Sequence, residues 1–256
     1  MKGILAERLY LSGMDARAAD LARRLGLGLE LTAFTYAPEL DRPAARDEAK
    51  VQCAGVARLW LHGPFAELCP AAIDPLVRDV ARARYRQAFE AAAELGVSRV
   101  VLHAGFTPYV YFPEWFVGRS VEFWRALLPE LPEGMRVALE NVMEPGPEML
   151  VDIAKQVDDP RLGLCLDVGH ANTCVSKTPP ADWVASMAPW LRHVHLHSNV
   201  GNLDDHAPVG IGTVPAREII GDVLRRCPAA TFTLENMDCL PALETLRQWG
   251  YLEGEL

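Results

Sequence analysis

No run of about 18 apolar residues occurs in the sequence, so nothing in it reads as a membrane-spanning helix. The opening MKGILAERLYLSG is apolar only briefly and does not read as a leader. The six cysteines (Cys53, Cys69, Cys165, Cys174, Cys227 and Cys239) form no CxxC pair and no small-domain framework. Reduced thiols in a soluble, cytoplasmic protein are therefore expected. The formal net charge of −9 and the pI near 5.3 argue against a broad basic surface for phosphate backbones, although a local patch stays open. No linker, low-complexity stretch or composition break divides the chain. Histidine is scarce: there are seven, and His193, His195, His197 and His206 crowd into HVHLHSNVGNLDDH.

What is present is a core-forming chain. Its 256 residues are half hydrophobic, enough for one sizeable core. A short apolar strand, a polar turn and an amphipathic helix recur along it. Strands are predicted at 3–9, 28–33, 57–62, 98–103, 136–141, 162–167, 191–197 and 230–236. Helices are predicted near 14–25, 41–55, 72–95, 116–130, 147–157, 181–188, 215–226 and 239–249. The helix at 72–95 has the clearest periodicity, with Leu76, Val80, Ala83, Tyr85, Ala88, Ala92 and Leu95 near helical spacing. Eight alternating strand–helix units imply a parallel sheet, and their number and length fit a single-domain (β/α)8 TIM barrel spanning 1–256. An open doubly wound sheet is the alternative.

The strand ends carry the chemistry. Strands three to six end in His62, His103, Glu140 and Asp167, and strands seven and eight carry His195 and Glu235. In such a barrel these ends form one mouth. His170 follows Asp167 by three residues, and Asp204 and His206 lie in the loop after strand seven. Imidazoles and carboxylates converging from six strands predict divalent-metal binding. On strand seven, His193, His195 and His197 share one face. His195 is expected level with the other ligands, His193 deeper as a core histidine bonded to a neighbour, and His197 above the mouth, touching substrate or replacing a ligand.

The segments LHGPF, VVLHAGF, VALENV, GLCLDVGHAN, HVHLHS, DDHAPVGIG and FTLEN resemble the xylose isomerase-like TIM barrels, a superfamily that includes the endonuclease IV type of abasic-site nucleases. The resemblance runs from about 57 to 236. In the sugar isomerases and epimerases of this superfamily one ion is held by Glu, Asp, His and Glu, which carries over to Glu140, Asp167, His195 and Glu235. The two glutamates, Glu140 and Glu235, are then the acid/base pair. In the endonuclease IV branch a three-zinc cluster uses nine ligands. All nine find matches: His62, His103, Glu140, Asp167, His170, His195, Asp204, His206 and Glu235.

Two readings follow. One is a phosphodiester hydrolase with one to three Zn2+ ions. The other is a sugar or sugar-phosphate isomerase or epimerase with one Mn2+, Mg2+, Co2+ or Zn2+. The epimerases place an arginine shortly after the strand-seven histidine, whereas residues 196–214 here hold no Arg or Lys. An isomerase also has no need of Asp204 and His206 together with His62 and His103. Both points favour the hydrolase. The acidic charge and short loops disfavour duplex DNA as substrate. The aromatic stretch GFTPYVYFPEWFVGR, with Tyr109, Tyr111 and Trp115, is expected to form a platform for a flat ring of a small nucleotide-like molecule. A phosphodiesterase that cuts the nucleotide loop of cobamides belongs to the superfamily and would suit such a platform. A metal held only for structure would not explain so many ligands at an open mouth. Barrels of this size often pair through helices, which keeps a homodimer open, but no helix advertises an interface.

Overall fold

The computed structural model describes residues 1–256. Eight strands alternate with eight helices: β1 (Leu9–Ser12), α1 (Ala18–Leu25), β2 (Gly28–Leu31), α2 (Pro43–Cys53), β3 (Leu59–His62), α3 (Pro75–Glu94), β4 (Arg99–His103), α4 (Pro113–Leu127), β5 (Arg136–Glu140), α5 (Glu148–Val157), β6 (Leu162–Asp167), α6 (Pro180–Met187), β7 (Leu191–Leu196), α7 (Ala216–Arg226), β8 (Thr231–Leu234) and α8 (Leu240–Gln248). Each strand pairs in parallel with the next, and β8 closes on β1, with Tyr10 opposite Thr233. This is a TIM barrel. No helix is long and apolar enough to cross a membrane, and all six cysteines are unpaired.

Alternation along each strand sends one set of side chains to the helices and the other into the barrel. The outward set, including Leu9, Leu29, Val100, Leu139, Leu164 and Val194, joins the helices in the main core. The inward set fills the lumen in layers. Tyr10, Trp60, Val101, Ala138 and Cys165 make a buried middle layer of their own, and the His193 ring stacks on Trp60 at 4.3 Å. Inward positions at the two ends of this layer are charged.

Two expectations fail. The first strand lies at Leu9–Ser12, not at 3–9. Residues near the start pair instead with the end of the chain: Lys2 bridges Glu253, and the Leu5 amide donates to the Tyr251 carbonyl. That contact removes Ile4 and Leu5 from the ladder and leaves Leu9–Ser12 to bond β2 and β8. In α3, the buried face is Ala81, Tyr85, Ala88, Phe89 and Ala92, whereas Leu76 and Val80 are exposed. Pro75 at its first turn and the Asp74 carboxylate, which accepts from the Leu76 amide at 2.8 Å, start the helix outside the core. Its opening turns therefore show Leu76, Val77 and Val80 to solvent.

Between β6 and β7 the register shifts: Leu164 lies opposite Leu191, but Cys165 lies opposite His193. Arg192 is the extra residue on β7, as in a bulge. Gly163 makes room for it, since a Cβ there would strike the Arg192 side chain.

Candidate metal centre

The C-terminal ends of the strands surround a cavity of about 420 Å³ lined by His62, His103, Glu140, His170, Asp204, His206 and Glu235, among others. Ligand atoms of Glu140, Asp167, His195 and Glu235 lie within 4.8 Å of one another, and so do those of His62, His103 and Glu140. A third grouping is centred on Asp204, whose Oδ2 lies 3.1 Å from His170 Nε2 and 2.9 Å from His206 Nε2. The nine residues matched in the sequence thus meet in one cluster.

Four of the ligand histidines are each held by one ring nitrogen. The Nδ1–H groups of His62, His170 and His206 donate to the carbonyls of Gly63 (3.0 Å), Asn141 (2.8 Å) and Glu235 (3.0 Å). A carbonyl can only accept, so each Nε2 is left free to face the cluster. His195 is held the other way round. Its Nε2 donates to Glu30 Oε1 at 3.0 Å, and its Nδ1 faces Glu140 Oε1 and Glu235 Oε2, both at 3.2 Å. Outer acceptors that fix the tautomer are what metal-binding imidazoles use.

The charge balance points the same way. Glu140, Asp167 and Glu235 are buried, and no Lys or Arg lines the cavity. Burial pushes the Glu140 carboxyl up, but the charge of His195 outweighs it and holds it well below the usual range. Burial pushes His62 down, yet the Glu140 carboxylate, 3.4 Å from its Nε2, raises it to about 9. His103 is lowered by burial to about 3 and is neutral. His206 rises to about 9 beside Asp204, against the effect of burial. One buried oxygen each of Glu140 and Glu235 has no hydrogen-bond partner. Buried anions whose side-chain partners are all imidazoles, with two unsatisfied oxygens among them, fit a cation that displaces the imidazolium protons. The donors are mixed imidazole and carboxylate, a set that suits zinc and related divalent ions.

The model of the family described as xylose isomerase-like TIM barrel matches residues 17–237. The chain belongs to that family. Among curated relatives of this xylose isomerase-like barrel is an uncharacterized protein of Methanocaldococcus jannaschii, MJ1311, 30% identical over 75% of this chain and 69% of the relative. Another is a probable endonuclease 4 of Mycobacterium leprae, 23% identical over 71% and 74%. Among solved structures, the TTHB071 protein from Thermus thermophilus, soaked with ZnCl2, is 29% identical, covers 98% of this chain and 100% of its own, and has a TM-score of 0.72. A D-tagatose 3-epimerase-like protein has a TM-score of 0.79 at 21% identity, covering 94% and 96%, and shares the fold.

The other predicted residues lie outside these nine, and His193 is the core histidine expected. His193 is buried in the barrel, bonded to Thr231, Thr233 and Glu30. His197 is fully buried and so is not placed to touch substrate: its Nε2 lies 2.9 Å from both Asp167 oxygens and its ring stacks on His206 at 4.1 Å, while, as the other half of the expectation had it, its ligand atom lies within 4.8 Å of those of His206 and Glu235. Gly169 permits this, because any Cβ there would collide with the His197 ring. Tyr109, Tyr111 and Trp115 do not line the cavity either. Tyr111 and Trp115 stack on each other at 5.5 Å over the start of α4, and Tyr109 points into solvent. The aromatic wall is instead Phe65, stacked 4.3 Å from His103, with Tyr36 at 6.4 Å from Phe65.

Sequence reasoning missed the residues that hold the ligands. Glu30, the one acid in the apolar strand LELTAF, is buried and bonded to His193, His195 and Thr233. Asn141 bonds the Asp167 backbone on both sides, at 2.8 and 3.0 Å. Asn236 bonds the carbonyls of His206 and Ala207 at 2.9 and 3.1 Å, which supports the left-handed backbone of His206. Each asparagine directly follows a site glutamate in a repeated LEN, and that repetition was the available signal.

Proposed function

We propose that the protein is a metal-dependent phosphodiester hydrolase acting on a small nucleotide-like molecule, with Zn2+ as its ion. The observation that supports this is the surplus of ligands. Glu140, Asp167, His195 and Glu235 suffice for one ion, yet His62 and His103 meet Glu140 on one side and His170 and His206 meet Asp204 on the other. Glu140 belongs both to the group with His62 and His103 and to the group with Asp167, His195 and Glu235, and Glu235 also groups with His197 and His206. Held there, divalent ions would supply Lewis acidity and lower the pKa of water.

The chain's own contribution is positioning. His62, His103, Glu140, Asp167, His170, His195, Asp204, His206 and Glu235 are the ligands in this reading. Glu30 and the backbone carbonyls orient the imidazoles, Asn141 and His197 orient Asp167, and Asn236 holds the loop of Asp204 and His206. Phe65 and Tyr36 offer a flat apolar wall to a base or comparable ring. A complete cobamide, with its nucleotide loop, is one substrate of this kind. The acidic charge of −9 favours such a molecule over duplex DNA. A zinc-soaked relative supports zinc as the first ion to test.

A second reading has one specific observation behind it. Glu140 and Glu235 flank His195 Nδ1 at the same 3.2 Å, so two carboxylates face one position. That is the arrangement an acid/base pair of a single-metal sugar epimerase needs. Metal stoichiometry separates the readings. The hydrolase binds two or three zinc ions per chain, and Asp204→Ala/His206→Ala loses about one equivalent and most cleavage of bis-nitrophenyl phosphate and of a cobamide. One ion in both proteins, with ketose epimerisation and no diester cleavage, overturns the hydrolase.

A further inference from the structure

The opposite end of the barrel carries a second cavity, of about 280 Å³, lined by Trp60, Arg99, Arg136, Arg161, Arg192 and Thr231. Four guanidinium groups therefore meet in a chain whose net charge is −9. Arg161 is neutralised: Asp159 grips it through both oxygens, at 2.9 and 2.6 Å. The other three have no carboxylate partner. Arg99 donates to the Tyr10 hydroxyl at 3.3 Å and lies over the Trp60 ring, 5.8 Å from its centre. Arg192 reaches only the carbonyls of Pro189 and Leu191.

Their placement gathers like charge at the strand starts with no carboxylate of the chain between them. Arg99 and Arg136 are register partners on β4 and β5, like charges side by side on the inward face. Arg192 is the bulge residue of β7, with Gly163 clearing its path. Trp60 and Thr231, both buried, form the floor, and the indole N–H is already bonded to the Thr231 hydroxyl at 3.1 Å. The ring of unmatched charge is therefore guanidinium alone. Planar guanidinium forks match the oxygens of phosphate groups, and several converging on one small cavity reinforce one another.

We propose that this N-terminal end of the barrel is an anion site for a small dianionic oxyanion of the phosphate class, free or as the end group of a small phosphomonoester. Arg99, Arg136 and Arg192 bind it, with Arg161 at the edge. The cavity is too small for a nucleotide-sized ligand to enter whole, so the phosphate group is the part recognised.

The test is calorimetric titration of the metal-loaded protein at low ionic strength, with inorganic phosphate in one arm and glycerol 3-phosphate in another. Saturable binding is expected, weaker by about tenfold or more in Arg99→Gln/Arg192→Gln, because bonds to charged groups are lost. Arg136→Gln, whose side chain makes no hydrogen bond in the fold, gives a second variant with a smaller but measurable loss should the double variant not fold. Preference for inorganic phosphate assigns the site to the free anion, and equal binding assigns it to an end group. Asp204→Ala/His206→Ala, altered only at the opposite mouth, keeps the binding. Unchanged affinity in the arginine variants, or loss of binding only in the Asp204/His206 variant, overturns the proposal.

Discussion

The two ends of the barrel are built from the same strands in opposite chemistry. Along β4 the inward residues run Arg99, Val101, His103; along β5 they run Arg136, Ala138, Glu140. One end gathers carboxylates and imidazoles with no Lys or Arg on the cavity, and the other gathers arginines with a single carboxylate partner. The apolar middle layer keeps them apart, so neither end neutralises the other by contact. In the two proposals, each would be satisfied by something external of opposite sign: cations at the C-terminal mouth, an anion at the N-terminal one. Complementary charges in one molecule need not be partners when a packed layer separates them.

The sharpest way to break this contrast is at the carboxylates. Glu140→Gln or Glu235→Gln keeps the shape but removes a charge that the site needs. Turnover on any substrate found should fall by orders of magnitude, and bound metal should fall with it by elemental analysis. Near-normal turnover in either variant ends the assignment of that residue.

Glu30→Gln probes the layer beneath. It weakens the acceptor that orients His195, so metal affinity measured by chelator competition should drop about 10- to 100-fold. His193→Gln, altered next door at a residue bonded only within the barrel, should keep its metal. Its cost is roughly 1–3 kcal/mol of stability in urea unfolding, from unsatisfied Glu30 and threonine partners. A His193 variant that loses metal as strongly as Glu30→Gln would merge the middle layer with the mouth.

Glu144 tests whether burial, rather than charge pairing, controls an acid near the mouth. It is buried without a basic partner, and burial raises its carboxyl to about 7 from an ordinary 4.5. The folded state thus holds this proton more tightly than the unfolded chain. Its stabilisation is complete below about pH 4.5 and is lost as the pH rises through 7. Glu144→Gln escapes that loss. In metal-free protein, the stability difference between variant and parent should grow in the variant's favour by roughly 3 kcal/mol from pH 4 to pH 8. A pH-independent difference would show that the carboxyl titrates normally.

The smallest effect belongs to the arginine end. With no phosphate present, Arg136→Gln should relieve the pairing with Arg99 and gain a few tenths of a kcal/mol at low salt. The gain should fade at high ionic strength. A clear loss of stability instead would mean that Arg136 already has a partner.

The fold and six of the nine clustered residues were legible because they lie at strand ends, where period-two patterning and chain order suffice; His170, Asp204 and His206 lie in the loops beyond and were legible through the resemblance of GLCLDVGHAN and DDHAPVGIG. The contents of the mouth's outer shell were not. Glu30 looks like any acid in a strand until closure brings β2 within reach of β7. Phe65 and Tyr36 sit in loops, and nothing in their spacing marks them as walls. The aromatic stretch at 105–119 stands out by composition, but composition does not say which way rings point. The arginines were invisible for another reason: they are scattered over four strand starts and only the barrel collects them.

The register shift at Arg192 governs more than its own side chain. Side chains on a strand alternate, so a one-residue slip reverses every position beyond it. Below the shift, Leu191 faces the helices with Leu164; above it, His193, His195 and His197 face the lumen. The bulge thus absorbs Arg192 and keeps the phase of all three. Replacing its side chain changes one charge. Deleting the residue would remove the bulge and leave the phase intact, with Leu191 opposite Leu164 and His193 opposite Cys165 in plain alternation; it is straightening the bulge with Arg192 still in the strand that would turn His195 outward among the leucines and Val194 and Leu196 inward to the metal ligands.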